Sequence, residues 1–504
     1  MADPNLIAYL YPTGDRLLHL ENALRTIRMA ENEPRRIEPL IEDRSQRSSQ
    51  APEDEANDCL YENNDGDNDG YHDQEEASNI PNNDYSPGLQ LRFDEWRKNR
   101  EGFVIGTSRN CDIVLPRRES LSGLAPRQCV ITFDDQGRLI LRDVQDRRKK
   151  GGTAVTYNGK GEQKCRTFTW ILSGHKFPER NQPINIILHE NLKFQIVVAH
   201  QDIHSAAYQE NVAQFRLRVA TNLDDISFGG FGLESLNSTA APSGAQSPIR
   251  DVILLDNGEL GRGAQAVVSR VWNVSTGLEY ASKEPLSKRF RKRLATEVDI
   301  LKQINHEHIV KCIPEWSTAM PEPRLVIEYI PLGTLEQQAK KRAITGEESV
   351  AILHQGLSGL RYLHEREDPI VHRDIKPSNI LVQSRTPHIH IKLSDFGYSK
   401  ESQDYLKTVC GTRRYAAPEV HNRQSYDAAV DVWSLGVVVF QYSHGLPDLD
   451  RTTDFDGVNC SRILEALTTK TKQSHCPMLR FLSTAMLVAK PDLRYSAHRK
   501  MQRQ

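Results

Sequence analysis

The hydrophobic period changes once along the chain, and that change limits the folds open to it. Between Phe103 and about Ala220 the apolar residues come in short alternating runs: FVIG, DIVL, QCVITF, RLILRDV, FTWIL, INIIL, KFQIVV and QFRLRV. Gly, Asp-Gln-Gly and Asn-Gly separate them at short intervals. Alternation puts successive side chains on opposite faces of a pleated strand, and closely spaced turn residues fold such strands back on one another, so this region predicts an all-β sandwich. After Ile249 strands come first and helices later. There Val350, Leu353, Leu357, Leu360 and Leu363 recur at helical steps, as do Leu294, Val298, Leu301 and Ile304, each set lining one helix face. Residues 221 to 248, rich in Gly, Ser, Asn and Ala, read as a linker.

A length of 504 residues is too great for one core and predicts several folded units. The expected division is an N-terminal segment 1–50, an acidic insert 51–91, a β-sandwich 92–220, a linker 221–249 and a mixed domain 250–502. LIAYLYP, residues 6 to 12, is a candidate first strand of the sandwich, and LLHLENALRTIRM has helical spacing. From Ala51 to Leu91 there is no Lys or Arg while Asp, Glu, Asn and Gly crowd together, a composition that cannot offset chain entropy and predicts disorder. Within it DGDNDGYHDQEE formally fits a calcium loop through Asp65, Asp67, Asp69, Gly70 and Glu76. The flanks do not read as helices and His72 stands where an apolar anchor belongs, so the stretch is read as a solvated insert.

Net charge of −2 and a pI near 6.8 call for neither nucleic acid nor a membrane surface as partner. MADPNLIAYLYP carries no basic segment ahead of its apolar run, and no run approaches a membrane span. The eight cysteines are scattered without a C-x-x-C pair, which points away from disulfides and zinc and towards an intracellular setting, cytoplasm or nucleus.

The chemistry concentrates in the C-terminal half. In GELGRGAQAVV, Gly261, Gly263 and Ala266 stand where a G-x-G-x-x-G loop would bring backbone N–H groups to phosphate oxygens, with Val268 just beyond. Taken alone the run reads more readily as an ordinary hairpin turn. Lys283 ends YASK in an expected strand, and Glu297 lies in the helix that follows, placed to neutralise it and hold it towards phosphates; the plain alternative is a surface ion pair. HRDIKPSN sets Asp374, Lys376 and Asn379 within six residues, and DFG supplies Asp395.

GRGAQAVV, ASK, HRDIKPSN, DFG, APE, DVWSLG and a late Arg494 follow the order of the eukaryotic protein kinase signature, which about half the chain resembles. The resemblance implies an α+β bilobal kinase fold, ATP and Mg²⁺ as cofactors, and protein substrates. It makes Asp374 the group that accepts or orients the acceptor's proton, Lys376 a brace for the transferring phosphate, and Asn379 and Asp395 the metal ligands. Leu260, Val268 and Ala281 join the nucleotide set, Ile327 guards its rear, and backbone groups of Glu328 to Ile330 meet adenine. Thr412 in LKTVCGTRRYAAPE is expected beside Asp374 and Lys376, which together with the Lys two positions after the Asp implies serine or threonine as acceptor. Arg373 is expected to pair with a phosphorylated loop residue, Thr408 or else Ser402, modified by an upstream kinase or by a second copy in trans. Glu419 and Arg494 are expected to form a buried ion pair. Thr334 and Ser378 stand where kinases that favour basic residues before the acceptor carry acids, so a strong arginine preference is not expected. SKRFRKRLATE, with Lys288, Arg289, Arg291, Lys292 and Arg293, reads as a solvated helix face, with docking of an acidic partner as the alternative.

The β region resembles a forkhead-associated domain through GFVIGTSRNCDIVLP and LAPRQCVITFDDQGRLILRDV. Such domains grip phosphothreonine with charge-assisted hydrogen bonds. Here the Arg position holds Thr107, next to Ser108, the Ser position Ala125 and the His position Gln128, while DRRKKGGT replaces the usual turn. Arg147, Arg148, Lys149 and Lys150 could restore anion binding for a phosphoprotein or acidic partner; the plainer reading is a docking or autoinhibitory surface. The layout is similar to checkpoint-type kinases. The alternatives are a catalytically silent adaptor, which the intact catalytic residues disfavour, and a small-molecule kinase, which the GT to APE segment disfavours.

Overall fold

The computed structural model describes residues 3–38, 87–145, 151–175, 177–220, 252–318, 320–401, 413–422, 424, 426–448 and 458–495. The calcium-loop pattern, the linker, Arg147 to Lys150, Ser402, Thr408 and Thr412 lie outside the described residues. The chain divides into two compact units, Met1–Ile253 with Val274–Gly277, and Leu254–Asn273 with Leu278–Gln504.

Unit one contains two sheets. The first runs, in spatial order, Arg36–Ile37, Gly88–Arg92, Leu6–Pro12, Leu192–Val198, Ile184–His189 and Ala154–Tyr157. The second runs Ile113–Val114, Phe103–Gly106, Cys129–Phe133, Leu139–Asp143 and Thr169–Ser173. Inward-facing Leu, Ile, Val and aromatic residues of both sheets are buried, the pattern of a β-sandwich. LIAYLYP is an interior strand, with Ala8 opposite both Val198 and Leu91. Ile37 pairs with Gly88, so residues 39–86 leave and re-enter through neighbouring strands. The strand Gly88–Arg92 therefore takes in residues 88–91, which the sequence reading assigned to the insert.

Two helices accompany the sheets, and one of them departs from the all-β expectation. QFRLRV is not a strand; it falls within the helix Ala206–Ala220. Its alternation competes with Tyr208, Val212 and Phe215, which fall on one helical face, and burial decides for the helix: Phe215 sits 5.2 Å from the Phe133 ring and 5.8 Å from Phe103, under the Arg97 guanidinium at 3.6 Å. Leu217, which the strand reading would bury, is 59 % exposed. The other helix, Leu17–Arg28, turns inward a largely polar face that includes His19, Asn22 and Thr26. Each makes one hydrogen bond to a backbone carbonyl, His19 at Glu190 (2.7 Å), Asn22 donating to Asn191 (3.0 Å) and Thr26 to Asn22 (2.8 Å).

Unit two begins with an antiparallel sheet in the order Leu254–Arg262, Ala266–Asn273, Glu279–Pro285 and Leu325–Glu328, against which the helix Arg291–Lys302 packs. A helical lobe follows around Gly346–His364 and Ala429–His444, with the hairpin Ile380–Ser384 and His390–Leu393 beside them. Thr345 starts the first of these helices with a capping box, Thr345 and Glu348 exchanging side-chain bonds with each other's backbone N–H. Val350 proves exposed; the inward face runs through Ser349, Ile352, Leu353, Gly356, Gly359, Leu360 and Leu363. A Cβ on Gly356 would stand 2.8 Å from the Leu435 methyls, so the bare position sets how closely the two helices approach. Arg494 and Glu419 form the expected buried pair, Arg494 Nη2 at 2.8 Å from Glu419 Oε2, with further donations to the Val488 and Ala429 carbonyls. Among the described residues no helix is long and apolar enough to cross a membrane.

Candidate active site

Lys283 reaches from the strand Glu279–Pro285 to the helix Arg291–Lys302 and to the turn after Leu393. Its Nζ lies 2.9 and 2.8 Å from the two Glu297 oxygens and 2.8 Å from Asp395 Oδ1. Burial works against the ammonium, but the Glu297 and Asp395 carboxylates outweigh it and hold the lysine charged, above its ordinary value. Burial pushes the Glu297 carboxyl upward, with Lys283 pulling the other way. Asp395 also feels burial, yet Lys283 holds its carboxyl down at about 2, so it stands ionised while 39 % of its side chain remains exposed. Glu297 Oε1 further accepts the Phe396 N–H at 3.2 Å, and Phe396 is buried against the His372 ring at 4.7 Å. The surface ion pair is thereby excluded.

Asp374 is buried, and its Oδ2 is approached by Lys376 Nζ at 2.8 Å and Asn379 Nδ2 at 3.0 Å. The same Asn379 amide donates to the Asp374 carbonyl at 2.9 Å, which leaves the carboxamide oxygen as the atom suited to a cation. Arg373 (φ 68°) and Asp395 (φ 63°) both adopt the left-handed region, a cost that non-glycine residues bear where side chains must be aimed. Among the described residues no three His, Cys, Asp or Glu side chains form a protein-only metal cage. An oxygen-only pair such as Asn379 and Asp395 suits Mg²⁺, which takes most of its ligands from water and phosphate.

The glycine loop joins Leu254–Arg262 to Ala266–Asn273, with Gly261 opposite Val268 and Val268 opposite Lys283. Gly263 N–H donates to the Ala266 carbonyl at 3.0 Å. A Cβ built on Gly261 meets nothing within 4 Å and one on Gly263 only the Ala266 carbonyl at 3.8 Å, so neither glycine is required by packing within the chain. The space is of the kind a phosphate approaching backbone N–H groups would use. Leu260 is 41 % exposed at the loop, whereas Ala281 and Ile330 are buried and Ala281 pairs with Ile327. The Glu328 carboxylate accepts Lys311 N–H (2.8 Å) and pairs with Lys392 Nζ (2.9 Å), which steadies the segment whose backbone is expected to meet adenine. Thr334 acts locally, capping the helix Leu335–Lys341 and exchanging bonds with Gln337 at 3.1 and 2.9 Å.

Some contributors went unassigned in the sequence. Asp431 of DVWSLG is fully buried and accepts the N–H groups of His372 and Arg373, each at 2.8 Å, and His364 Nε2 at 2.9 Å. It carries the catalytic loop by its backbone, and the histidine contact helps hold its carboxyl low despite burial. An acid inside an otherwise apolar helical run was the available signal. Arg293 is not part of a solvated face; its Nε donates to the Gly397 carbonyl at 2.5 Å.

In the β unit, Gln128 is buried at the position where the forkhead-associated resemblance leads one to expect His. Its Oε1 accepts Ala125 N–H at 2.9 Å and its Nε2 faces the Leu188 carbonyl at 3.3 Å, so the amide braces the neighbouring loop. Thr107 N–H donates to the Ala125 carbonyl at 3.0 Å, and Ser108 Oγ accepts Asn110 N–H at 3.3 Å within its own turn.

Residues 255–504 match the protein kinase domain family. The chain is similar to myosin light chain kinase A of Dictyostelium discoideum, 37 % identical over 196 residues, covering 38 % of this chain and 65 % of that protein. It is 26 % identical over 426 residues to the DNA damage response protein kinase DUN1 of Saccharomyces cerevisiae, covering 74 % of this chain and 78 % of that one. Over 198 residues it is 35 % identical to calcium/calmodulin-dependent protein kinase type IV of Rattus norvegicus, spanning 39 % of this chain and 41 % of the relative. The crystal structure of Rad53 1-466 in complex with AMP-PNP shares the fold over 80 % of this chain and 91 % of its own, at 24 % identity and a TM-score of 0.50.

Proposed function

Because residues 255–504 belong to the protein kinase domain family, in a chain laid out like the checkpoint kinases, we propose that it is an ATP-dependent kinase acting on protein serine and threonine hydroxyls. One observation carries the reading: Lys376 and Asn379 converge on Asp374 within 3.0 Å, while Asp395, ionised, stands on the Lys283–Glu297 pair. Phosphoryl transfer asks chiefly for positioning and charge neutralisation, since the transition state spreads negative charge over oxygens. Asp374 takes or orients the proton of the acceptor hydroxyl. Lys376, already beside that carboxylate, lies where it can also face the transferring phosphate, and Lys283 holds a nucleotide phosphate while Glu297 keeps the lysine in place. Mg²⁺, bound through the Asn379 oxygen and Asp395, would neutralise the nucleotide phosphates. Preference for serine and threonine rests on Lys376 two positions after Asp374 and on Thr412.

The test is transfer of label from ATP to a generic protein substrate by the full chain, followed by phosphoamino-acid analysis. Phosphoserine or phosphothreonine that disappears with Asp374→Ala supports the proposal. Label persisting in that variant, or appearing only on tyrosine, overturns it. For the β unit, the reading is a docking module without the usual phosphothreonine grip, supported by Thr107, Ala125 and the structural employment of Gln128. A phosphothreonine peptide library titrated against the full chain tests it: affinity lost on dephosphorylation would show that a phosphate grip survives.

A further inference from the structure

Side chains from three separate elements meet at Tyr398, the residue after the Asp395 to Gly397 turn. Arg293, one turn ahead of Glu297 on the same helix, lays its guanidinium 3.3 Å from the centre of the Tyr398 ring while its Nε holds the Gly397 carbonyl. Arg373, next to Asp374, donates from Nε to the Tyr398 carbonyl at 2.6 Å. Gln265, in the glycine loop between Gly263 and Ala266, donates from Nε2 to the Tyr398 hydroxyl at 3.4 Å. The glycine loop and the helix bearing Glu297 thus share the Tyr398 side chain, while the catalytic loop holds the same residue by its backbone carbonyl.

The chemistry of each contact suits coupling. A planar, weakly hydrated guanidinium gains from an aromatic face without giving up its in-plane donors, so Arg293 can stack on the ring and still bond Gly397. Arg293 and Glu297 are four residues apart and face the same side of the helix. Any rotation that withdraws Glu297 from Lys283 also lifts Arg293 from Tyr398. The hydroxyl contact is the longest of the set, hence the easiest to make and break as the glycine loop moves over a nucleotide.

We propose that Tyr398 is a positioning residue that couples seating of the glycine loop to the Lys283–Glu297 pair, through its ring to Arg293 and through its hydroxyl to Gln265. The inference rests on the kinase reading and divides into separable parts. Tyr398→Phe keeps the ring and loses the Gln265 contact, so KM for ATP rises about two- to fivefold with kcat held. Tyr398→Leu and Arg293→Met each lower kcat by roughly five- to thirtyfold, and the double variant is no worse than the poorer single one. Tyr398→Trp, which restores an aromatic face, recovers most of kcat. A role in folding alone would lower Tm without this split between ring and hydroxyl.

Steady-state kinetics of the full chain, Mg²⁺·AMP-PNP affinity and thermal denaturation are measured across the same variants. Multiplicative losses in the double variant, or Tyr398→Trp as impaired as Tyr398→Leu, overturn the coupling. If the unmodified chain binds nucleotide but phosphorylates no protein, the kinase reading fails, and the same cycle read in nucleotide affinity still decides the role of Tyr398.

Discussion

Replacing Glu348 with Gln should destabilise the kinase unit at neutral pH and lose that effect in acid. Glu348 sits 10 % exposed between two arginines: Arg385 Nε reaches Oε1 at 2.7 Å and Nη2 reaches Oε2 at 2.9 Å, while Arg342 Nη2 meets Oε1 at 2.7 Å. Arg385 also donates to the carbonyls of Gln338, Arg342 and Ala343, so one guanidinium ties the end of the helix Leu335–Lys341 to the start of Gly346–His364. The hydrogen bonds from Arg385, against the cost of burial, hold the Glu348 carboxyl at about 2 rather than 4.5. At about 1.4 kcal/mol per tenfold change in proton affinity, that difference contributes at most about 3 kcal/mol, and partial solvent screening brings the expectation to about 2. Folding depresses this carboxyl, so the stabilisation is complete above its unfolded value near 4.5 and is lost as pH falls towards 2. In thermal and urea denaturation at pH 7, Glu348→Gln should therefore lower Tm by roughly 4–8 °C. The gap between the two proteins should begin to close between about pH 5 and pH 4. Equal stabilities at pH 7, or a gap that is the same at pH 4, would refute the reasoning.

Other expectations are shorter to state. Gly261→Ala should leave Tm unchanged or slightly raised, because the new methyl meets no protein atom, while ATP binding weakens several-fold in a calorimetric titration. Asp431→Asn places an amide where a carboxylate accepts two backbone N–H groups; kcat should fall about tenfold or more with KM for ATP little changed. Phe215→Ala should cost the β unit about 3–5 kcal/mol by urea denaturation, a loss a strand reading of QFRLRV would assign to Leu217 instead.

Much of the candidate site is legible in the sequence because its chemistry is local in the chain: Asp374, Lys376 and Asn379 need only one turn of backbone to meet. Lys283 and Glu297 are legible through order and residue type. What escapes is whatever the tertiary contacts decide. Asp431 looks like one acid in an apolar helix until the catalytic loop lays its N–H groups on it, and Arg293 is indistinguishable from its basic neighbours until Tyr398 arrives beneath it. In the β unit, the strand alternation fails at QFRLRV because that segment also carries a helical period, and only the Phe93, Phe103 and Phe133 rings break the tie. The helix Leu17–Arg28 is placed correctly by its spacing although its buried face is polar, a face that hydropathy cannot recognise.

The pairing of Ile37 with Gly88 bears on how freely this chain can change length. With both exits secured in one ladder, the points between which a tether would have to close are already adjacent. Doubling such a tether costs about 0.6 kcal/mol, because closure entropy grows with the logarithm of its span. By that reckoning a change of length between Ile37 and Gly88 should cost the ladder little, so this is where the chain can be lengthened while the strand pairing stays intact.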